Sequence, residues 1–243
     1  MQQLENLKMK FSLRLLFILI TVHCSLFTFS QDATQLINKV KAKLDKVNDY
    51  TAKGVLKTDV AFIKAPVSKV VIYFKKPNHF RLQKNGGISI LPKGGVSVNM
   101  STIIGTNDFL ALEAGDAVVN KTKTKVVKLL PNGENSDVVL STLYIDEVNL
   151  LICKAVTTTR ENGTYEITIS YGKYADYGLP DKLVFSFDAK NYKLPKGITL
   201  DFDEEKPADI NKLKNKKGKV EIDYSSYIIN KGVDDAVFKQ MNK

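Results

Sequence analysis

The sequence predicts a mainly β protein of the α+β class: one large antiparallel sheet, apolar on a single side, with a helix laid over that side. Three observations predict it. In the second half of the chain, Tyr165, Ile167, Ile169 and Tyr171 alternate with Glu166, Thr168 and Ser170. Such strict alternation marks strands wetted on one face only. Ahead of the strands, Leu36, Ile37, Val40, Leu44 and Val47 recur at spacings of three and four, the period of an amphipathic helix. Between two alternating runs stands Glu161-Asn162-Gly163, whose Asn-Gly pair is a hairpin signal.

The elements follow in order. Lys8, Lys10 and Arg14 precede the apolar run Leu15 to Val22, which continues to Phe27 and ends in small residues at Thr28 and Ser30. This basic, apolar, small order predicts a secretory signal over 1–30. The run is short for a membrane anchor, which needs about 20 residues. A lipidated Cys24 is disfavoured because Thr21-Val22-His23 supplies no small residue before it. The helix is expected over 32–49. Strands are expected at Val55 to Ile63, at Val67 to Lys75 before Pro77, and at His79 to Lys84. Residues 85–107 hold Gly86-Gly87 and Gly94-Gly95 and read as a long excursion with a short helix. They lack the Lys-Ser/Thr ending of a phosphate-binding loop.

Short strands are then expected at Phe109 to Glu113, Ala117 to Asn120 and Lys125 to Leu130. Leu150 to Thr159, Thr164 to Tyr171, Leu183 to Asp188, Ile198 to Asp203 and Lys219 to Ile228 follow, and a short helix closes the chain at Val233 to Met241. Pro207 to Lys219 reads as a polar, basic loop. Leu183, Phe185 and Phe187 share a face, as do Ile198, Leu200 and Phe202, and Val220, Ile222 and Tyr224. Together these make an apolar face larger than a soluble monomer exposes. The helix is the expected cover, and 31–243 reads as one domain.

Composition narrows the function. The chain has 36 Lys+Arg and 26 Asp+Glu. Removing the three basic and one acidic residue of 1–30 leaves 33 and 25, a net of +8. Only Arg81 and Arg160 of the remaining basic residues are Arg. Nucleic-acid readers favour Arg for bidentate contacts, so none is expected as a partner. The lysines form a solvated basic surface or attract anionic headgroups or an acidic partner. After residue 30, His79 and Cys153 are the only His and Cys. No internal disulfide, Cys/His zinc site or His-rich active site is therefore expected.

Single residues add little chemistry. Cys153, in Leu150-Leu151-Ile152-Cys153, reads as a small buried hydrophobe. His79 reads as a strand-edge residue. Asp201, Asp203, Glu204 and Glu205 lack the spacing of a calcium loop. Glu113 and Asp116 as a glycosidase pair find no other support. No catalytic residue, metal or cofactor is expected, and the chain does not read as an enzyme.

The Val47–Gly54 junction, the Lys76-Pro77-Asn78-His79-Phe80-Arg81 segment and the closing stretch from Val220 to Phe238 together resemble the LolA-type lipoprotein carriers, a superfamily that includes LolB-type receptors and RseB-type sensors. Val47-Asn48-Asp49-Tyr50-Thr51-Ala52-Lys53-Gly54 is similar to the family's first helix-to-strand junction. Phe74-Lys75-Lys76-Pro77-Asn78-His79-Phe80-Arg81 resembles its basic-Pro-x-x-Phe-Arg segment. Val220-Glu221-Ile222-Asp223-Tyr224, with Tyr227 and Asn230-Lys231-Gly232-Val233-Asp234-Asp235-Ala236-Val237-Phe238, is similar to its last strand and closing motif. The chain departs from the family in having no Trp and in the Gly-rich segment 85–107.

The resemblance implies an open half-barrel closed by helices over an acyl-sized apolar cavity. It implies a periplasmic carrier of lipoprotein or lipid that works with an inner-membrane transporter and an outer-membrane receptor and acts as a monomer. A non-transporting sensor of envelope lipid or lipoprotein, signalling to a membrane partner, is the second implication. The expected cavity wall is Phe74, Tyr165, Ile167, Ile169, Phe185, Phe187, Leu200, Phe202 and Ile222. Leu36, Val40 and Leu44 are expected in the lid. Arg81 corresponds to the Arg that latches the lid through backbone carbonyls in the carriers, or is an ordinary surface Arg.

Overall fold

The computed structural model describes residues 32–59, 67–84, 108–132, 136–160, 163–188 and 217–239. The expected signal at 1–30, the excursion at 85–107 and the strand at Ile198 to Asp203 lie outside them.

Residues 32–44 form the helix α1. Ten strands follow: β1 Asp49–Asp59, β2 Ser68–Lys75, β3 His79–Lys84, β4 Phe109–Val119, β5 Thr122–Pro131, β6 Val138–Asp146, β7 Leu151–Thr159, β8 Gly163–Ser170, β9 Lys182–Asp188 and β10 Lys217–Ile229. They make one antiparallel sheet in the order β3-β2-β1-β10-β9-β8-β7-β6-β5-β4. The sheet is not closed into a barrel, since β3 and β4 remain its edges. Yet Phe80 of β3 and Phe109 of β4 both pack against the cluster that contains α1. The sheet therefore curls around the helix as a half-barrel.

Several elements differ from the sequence reading. α1 stops at residue 44, not 49. The Lys46 and Val47 N–H groups turn to the carbonyls of Lys43 and Leu44, at 3.3 and 3.1 Å, and Asn230 takes the Lys46 carbonyl. β1 begins at Asp49, six residues early. Its inward positions Ala52 and Gly54 are too small to show alternation, but a Cβ on Gly54 would lie 2.6 Å from the Asp223 carbonyl, so only Gly allows β10 so close. The two strands expected at 109–120 are one strand with a bulge between Glu113 and Asp116. Gly115, at φ +88°, supplies its left-handed residue. Asn120 and Lys121, both at positive φ, form the two-residue turn into β5.

β6 was not expected at all. Among the residues facing the core it carries Ser141, whose hydroxyl is bonded to Thr157 at 3.0 Å in a buried pair, and this polar position hides the period. The expected C-terminal helix is, within the described residues, a single 3-10 turn, Asp235–Phe238.

Because neighbouring strands alternate in direction, the connections fall on two ends. At the turn end lie the short links: 45–48, 76–78, 120–121, 147–150 and 171–181. At the opposite, loop end the chain passes between β1 and β2, β3 and β4, β5 and β6, β7 and β8, and β9 and β10. α1 runs toward the turn end, where Lys43 Nζ donates to the Asn149 carbonyl at 2.7 Å.

The core has two parts. Leu36, Ile37, Val40 and Leu44 of α1 pack with Ala111, Val127, Leu143, Ile145, Ile167, Ile169 and Leu183. A second cluster joins Tyr50, Leu56, Val70, Ile72, Phe74, Leu82, Ile222 and Tyr227 across β1, β2, β3 and β10, with Leu179 from the link before β9.

Candidate functional site

The apolar face is the expected site, and its residues fall into three situations. Ile167 and Ile169 are buried beneath Leu36, Val40 and Leu44. There the helix fills the face and leaves these side chains as core. Phe74 and Ile222 are buried in the second cluster, with the Phe74 ring 5.2 Å from that of Tyr50. Tyr165 and Phe185, toward the loop end, are only half-buried and pack against the edge of the helix cluster.

These last two form an aromatic strip. The rings of Tyr165 and Phe185 lie 5.3 Å apart and those of Phe185 and Phe187 5.4 Å apart, at separations of favourable ring contact. The register places Tyr165 opposite Phe187 and Ile167 opposite Phe185. Phe187 is buried because its ring lies over Gly218 of β10, where a Cβ would come within 2.4 Å. Val220, paired with Phe185, extends the strip. Leu200 and Phe202 lie outside the described residues.

Arg81 reaches the C-terminal end of the described chain. In β3 it stands between Phe80 and Leu82, which pack on the apolar face, so its own side chain leaves on the other face. Its guanidinium donates to the backbone carbonyl of Val237. That carbonyl belongs to the C-terminal 3-10 turn, not to α1. Lys75 supports the same turn through Val233 O at 3.3 Å and Asp235 at 2.6 Å, and the His79 ring lies 5.3 Å from Phe238.

The α1 junction is held by Asn230, which was read only as part of a closing motif. Its Oδ1 accepts the Asn48 N–H at 2.7 Å, and its Nδ2 donates to Lys46 O at 2.8 Å. Lys76 adds a bond to Asp45 O at 2.7 Å. No local pattern of residue types announces this, because the partners of the Asn230 side chain, Lys46 and Asn48, lie at the other end of the chain.

The opposite face of the central strands is charged. Lys57, Lys182 and Lys219 surround Glu221, at 3.3, 2.7 and 3.0 Å, and the first two also reach Asp223. The Lys182 hydrogen bond, foremost, holds the Glu221 carboxyl down at about 2. On the core side the tyrosines are shifted the other way. Burial raises the hydroxyls of Tyr50, Tyr171, Tyr224 and Tyr227. Two of them donate to carbonyls, Tyr171 to Ile152 at 2.9 Å and Tyr227 to Pro180 at 2.7 Å. Burial also raises the Cys153 thiol, which keeps it an unreactive neutral group.

A pocket of about 430 Å³ lies at the turn end. Val119, Leu151, Cys153 and Ile169 give it apolar walls, and Lys43, Asn149 and Asp176 are among its polar ones. Among the described residues no group of three or more His, Cys, Asp or Glu is placed to hold a metal ion. No helix among them is long and apolar enough to cross a membrane.

No family model matches the chain, and no curated protein matches it. Solved structures do. A DUF1329 family protein from Desulfovibrio piger is 11% identical over 87% of this chain and 97% of its own, with a TM-score of 0.54. A LolA superfamily protein from Nitrosomonas europaea is 10% identical over 84% and 97%, at 0.48. Pseudomonas aeruginosa MucB, solved in complex with MucA, is 10% identical over 79% and 93%, at 0.26. The first likeness establishes a shared fold and, at this identity, speaks for the fold alone. The segments at 47–54, 74–81 and 220–238 resemble the LolA-type carriers. The open, one-sided half-barrel is the architecture that resemblance implied.

Proposed function

We propose that this is an exported periplasmic carrier that holds the acyl chains of lipoproteins or lipids against the apolar face of its half-barrel and ferries them toward the outer membrane. It does so without cofactor or catalysis. The observation that carries this reading is the half-buried strip of Tyr165 and Phe185, continuous with the apolar face that α1 covers.

The physics is exchange of one cover for another. An acyl chain in water is unfavourable by about 0.8 kcal/mol for each exposed CH2. The side chains of Leu36, Val40 and Leu44 pack on the face. A chain that first meets Tyr165 and Phe185 replaces those contacts as α1 lifts, and Ile167 and Ile169 become wall instead of core. Lifting pivots on the turn end, where Asn230, Lys43 and Lys76 hold the helix end. Loading from an inner-membrane transporter and unloading to an outer-membrane receptor are the partners this cycle needs. The same face serves a module that senses lipid and signals to a membrane partner without transport.

The test uses a fluorescent fatty-acyl probe and acceptor vesicles. The carrier reading expects saturable binding, weakened in Phe185→Ala at unchanged folding, and transfer of the probe to vesicles. Binding without transfer selects the sensor. Absence of binding by the wild type, with Phe185→Ala as unstable as a core deletion, removes both. N-terminal sequencing of secreted protein is expected to begin at or beside Gln31, whereas a lipid on Cys24 would contradict a freely diffusing carrier.

A further inference from the structure

Three hairpin links at the turn end carry apolar side chains where tips are ordinarily polar. Val148, in the link between β6 and β7, is 90% exposed, Val118 beside the β4–β5 turn is 69% exposed, and Tyr177 in the link before β9 is 42% exposed. Scattered exposed hydrophobes need no explanation, but these are gathered. Val119 and Asn120, Asp146 and Asn149, and Ala175 and Asp176 all line one pocket, so the three links ring a common mouth.

The exposure of Val148 is built into the link. Asp146 Oδ1 accepts the N–H groups of both Val148 and Asn149 at 3.0 Å, and Oδ2 accepts Asn149 Nδ2 at 2.7 Å. The buried carboxylate thus holds the turn in a shape that presents Val148 outward. The charges around the ring are of matching kind. Lys121 and Lys123 flank the β4–β5 turn, Lys123 directly opposite Val118. Lys173 precedes Tyr177 and lies 5.3 Å over the Tyr174 ring. All three are exposed, and none has an ion pair among the described residues, unlike the lysines of the central strands. The exposed acids of the ring links are Glu147 and Asp176, so lysine is in excess.

We propose that the turn end is a docking surface for an anionic lipid bilayer. Val118, Val148 and Tyr177 enter the interfacial layer, and Lys121, Lys123 and Lys173 lie against the headgroups. Short apolar protrusions with an aromatic hydroxyl at headgroup level and lysines alongside are the chemistry of an interfacial contact. Each of the three links presents a single exposed apolar side chain, and a bilayer accepts such tips without a matching surface. The surface lies at the opposite end from the aromatic strip and stands whether or not that strip binds lipid.

The test is co-sedimentation of protein purified from its producing cells with phosphatidylcholine vesicles, with and without phosphatidylglycerol. Binding is expected only with the anionic lipid and is weakened by salt. The double variant Val118→Asp/Val148→Asp should reduce the bound fraction roughly tenfold, and Lys121→Glu/Lys173→Glu should do so too. Val67→Asp is the control, since Val67 is 65% exposed at the loop end; it should bind as wild type does. Where the double Asp variant lowers the unfolding midpoint, Val148→Ser replaces it. Wild type that ignores anionic vesicles, variants that bind undiminished, or loss of binding equally in Val67→Asp would each overturn the proposal. So would a finding that the tips mediate self-association without bilayer binding.

Discussion

The side-chain carbonyl of Asn230 accepts the backbone N–H of Asn48 at 2.7 Å, joining the residue after the last strand to the residue before the first. The same side chain donates to Lys46 O, and the Asn230 N–H donates to Asp49 O at 2.9 Å. One residue thereby fixes where α1 ends and how β1 enters the sheet. Asn230→Ala leaves the Asn48 N–H and the Lys46 carbonyl without it and places a Cβ-bearing residue with no local polar partner at φ +54°. The expected loss is roughly 1–3 kcal/mol, read by denaturant unfolding. Asn230→Gly, free of strain at that φ, should lose less; equal losses would show that the backbone conformation matters little.

Covered and half-covered parts of the apolar face should respond differently to truncation. Ile167 is buried under α1, and Ile167→Ala should destabilise the protein by about 2–5 kcal/mol. Phe185, half-buried in the strip, should lose less than the aromatic deletions of a closed core. A Phe185→Ala loss as large as that of Ile167→Ala would make the strip an ordinary core.

Acid should weaken the central strands over a defined window. The ordinary value of a Glu carboxyl is 4.5, and that of Glu221 is lowered to about 2, chiefly by the Lys182 hydrogen bond. The unfolded chain therefore binds more protons than the folded one between these values, and stability rises with pH there. The contribution is complete above 4.5 and disappears as pH falls toward 2. Glu221→Gln should flatten the stability profile in that window alone. An unchanged slope would mean that the three lysines exert no net hold on the carboxylate.

Arg81 is expected to clasp the C-terminal turn and not the helix. In Arg81→Leu, amide exchange should quicken at Ala236 to Lys239 while α1 keeps its protection. Arg81→Lys should restore part of the contact, since one ammonium reaches a carbonyl but lacks the fork of the guanidinium. Faster exchange in α1 would return Arg81 to the latch that the family resemblance implied.

Where strand residues face a core on one side and water on the other, the alternation could be read directly. β8, β9 and β10 are of this kind, with Ile167, Leu183 and Ile222 inward and Thr168, Val184 and Glu221 outward. Elsewhere the inward position is small or polar, as at Ala52, Gly54 and Ser141, and the period disappears although the strand remains. The bulge at Glu113 to Asp116 shifts the period midway and made one strand look like two. The apolar residues of the candidate site could be listed from the same alternation. Which of them α1 buries and which it leaves half-open could not, because that depends on where the helix stops, a matter decided by Asn230 from the far end of the chain.

The pairing of β1 with β10, from Tyr50 with Ile229 to Asp59 with Lys219, sets the order in which the sheet can be finished. β4 to β9 each pair with the strand before or after in sequence, so that meander can form on local contacts. β1, β2 and β3 form another such unit, made first as the chain emerges. Nothing in the sheet joins the two until the last strand arrives between β1 and β9. The early unit must therefore wait with the Leu56 and Ile222 partnership unmade, its open flank exposed to wrong pairing through most of synthesis. Contacts so distant along the chain also slow folding. A chain that stops before residue 217 would have only the packing of α1 and Phe80 between the two units, and β10 is the seam that makes them one sheet.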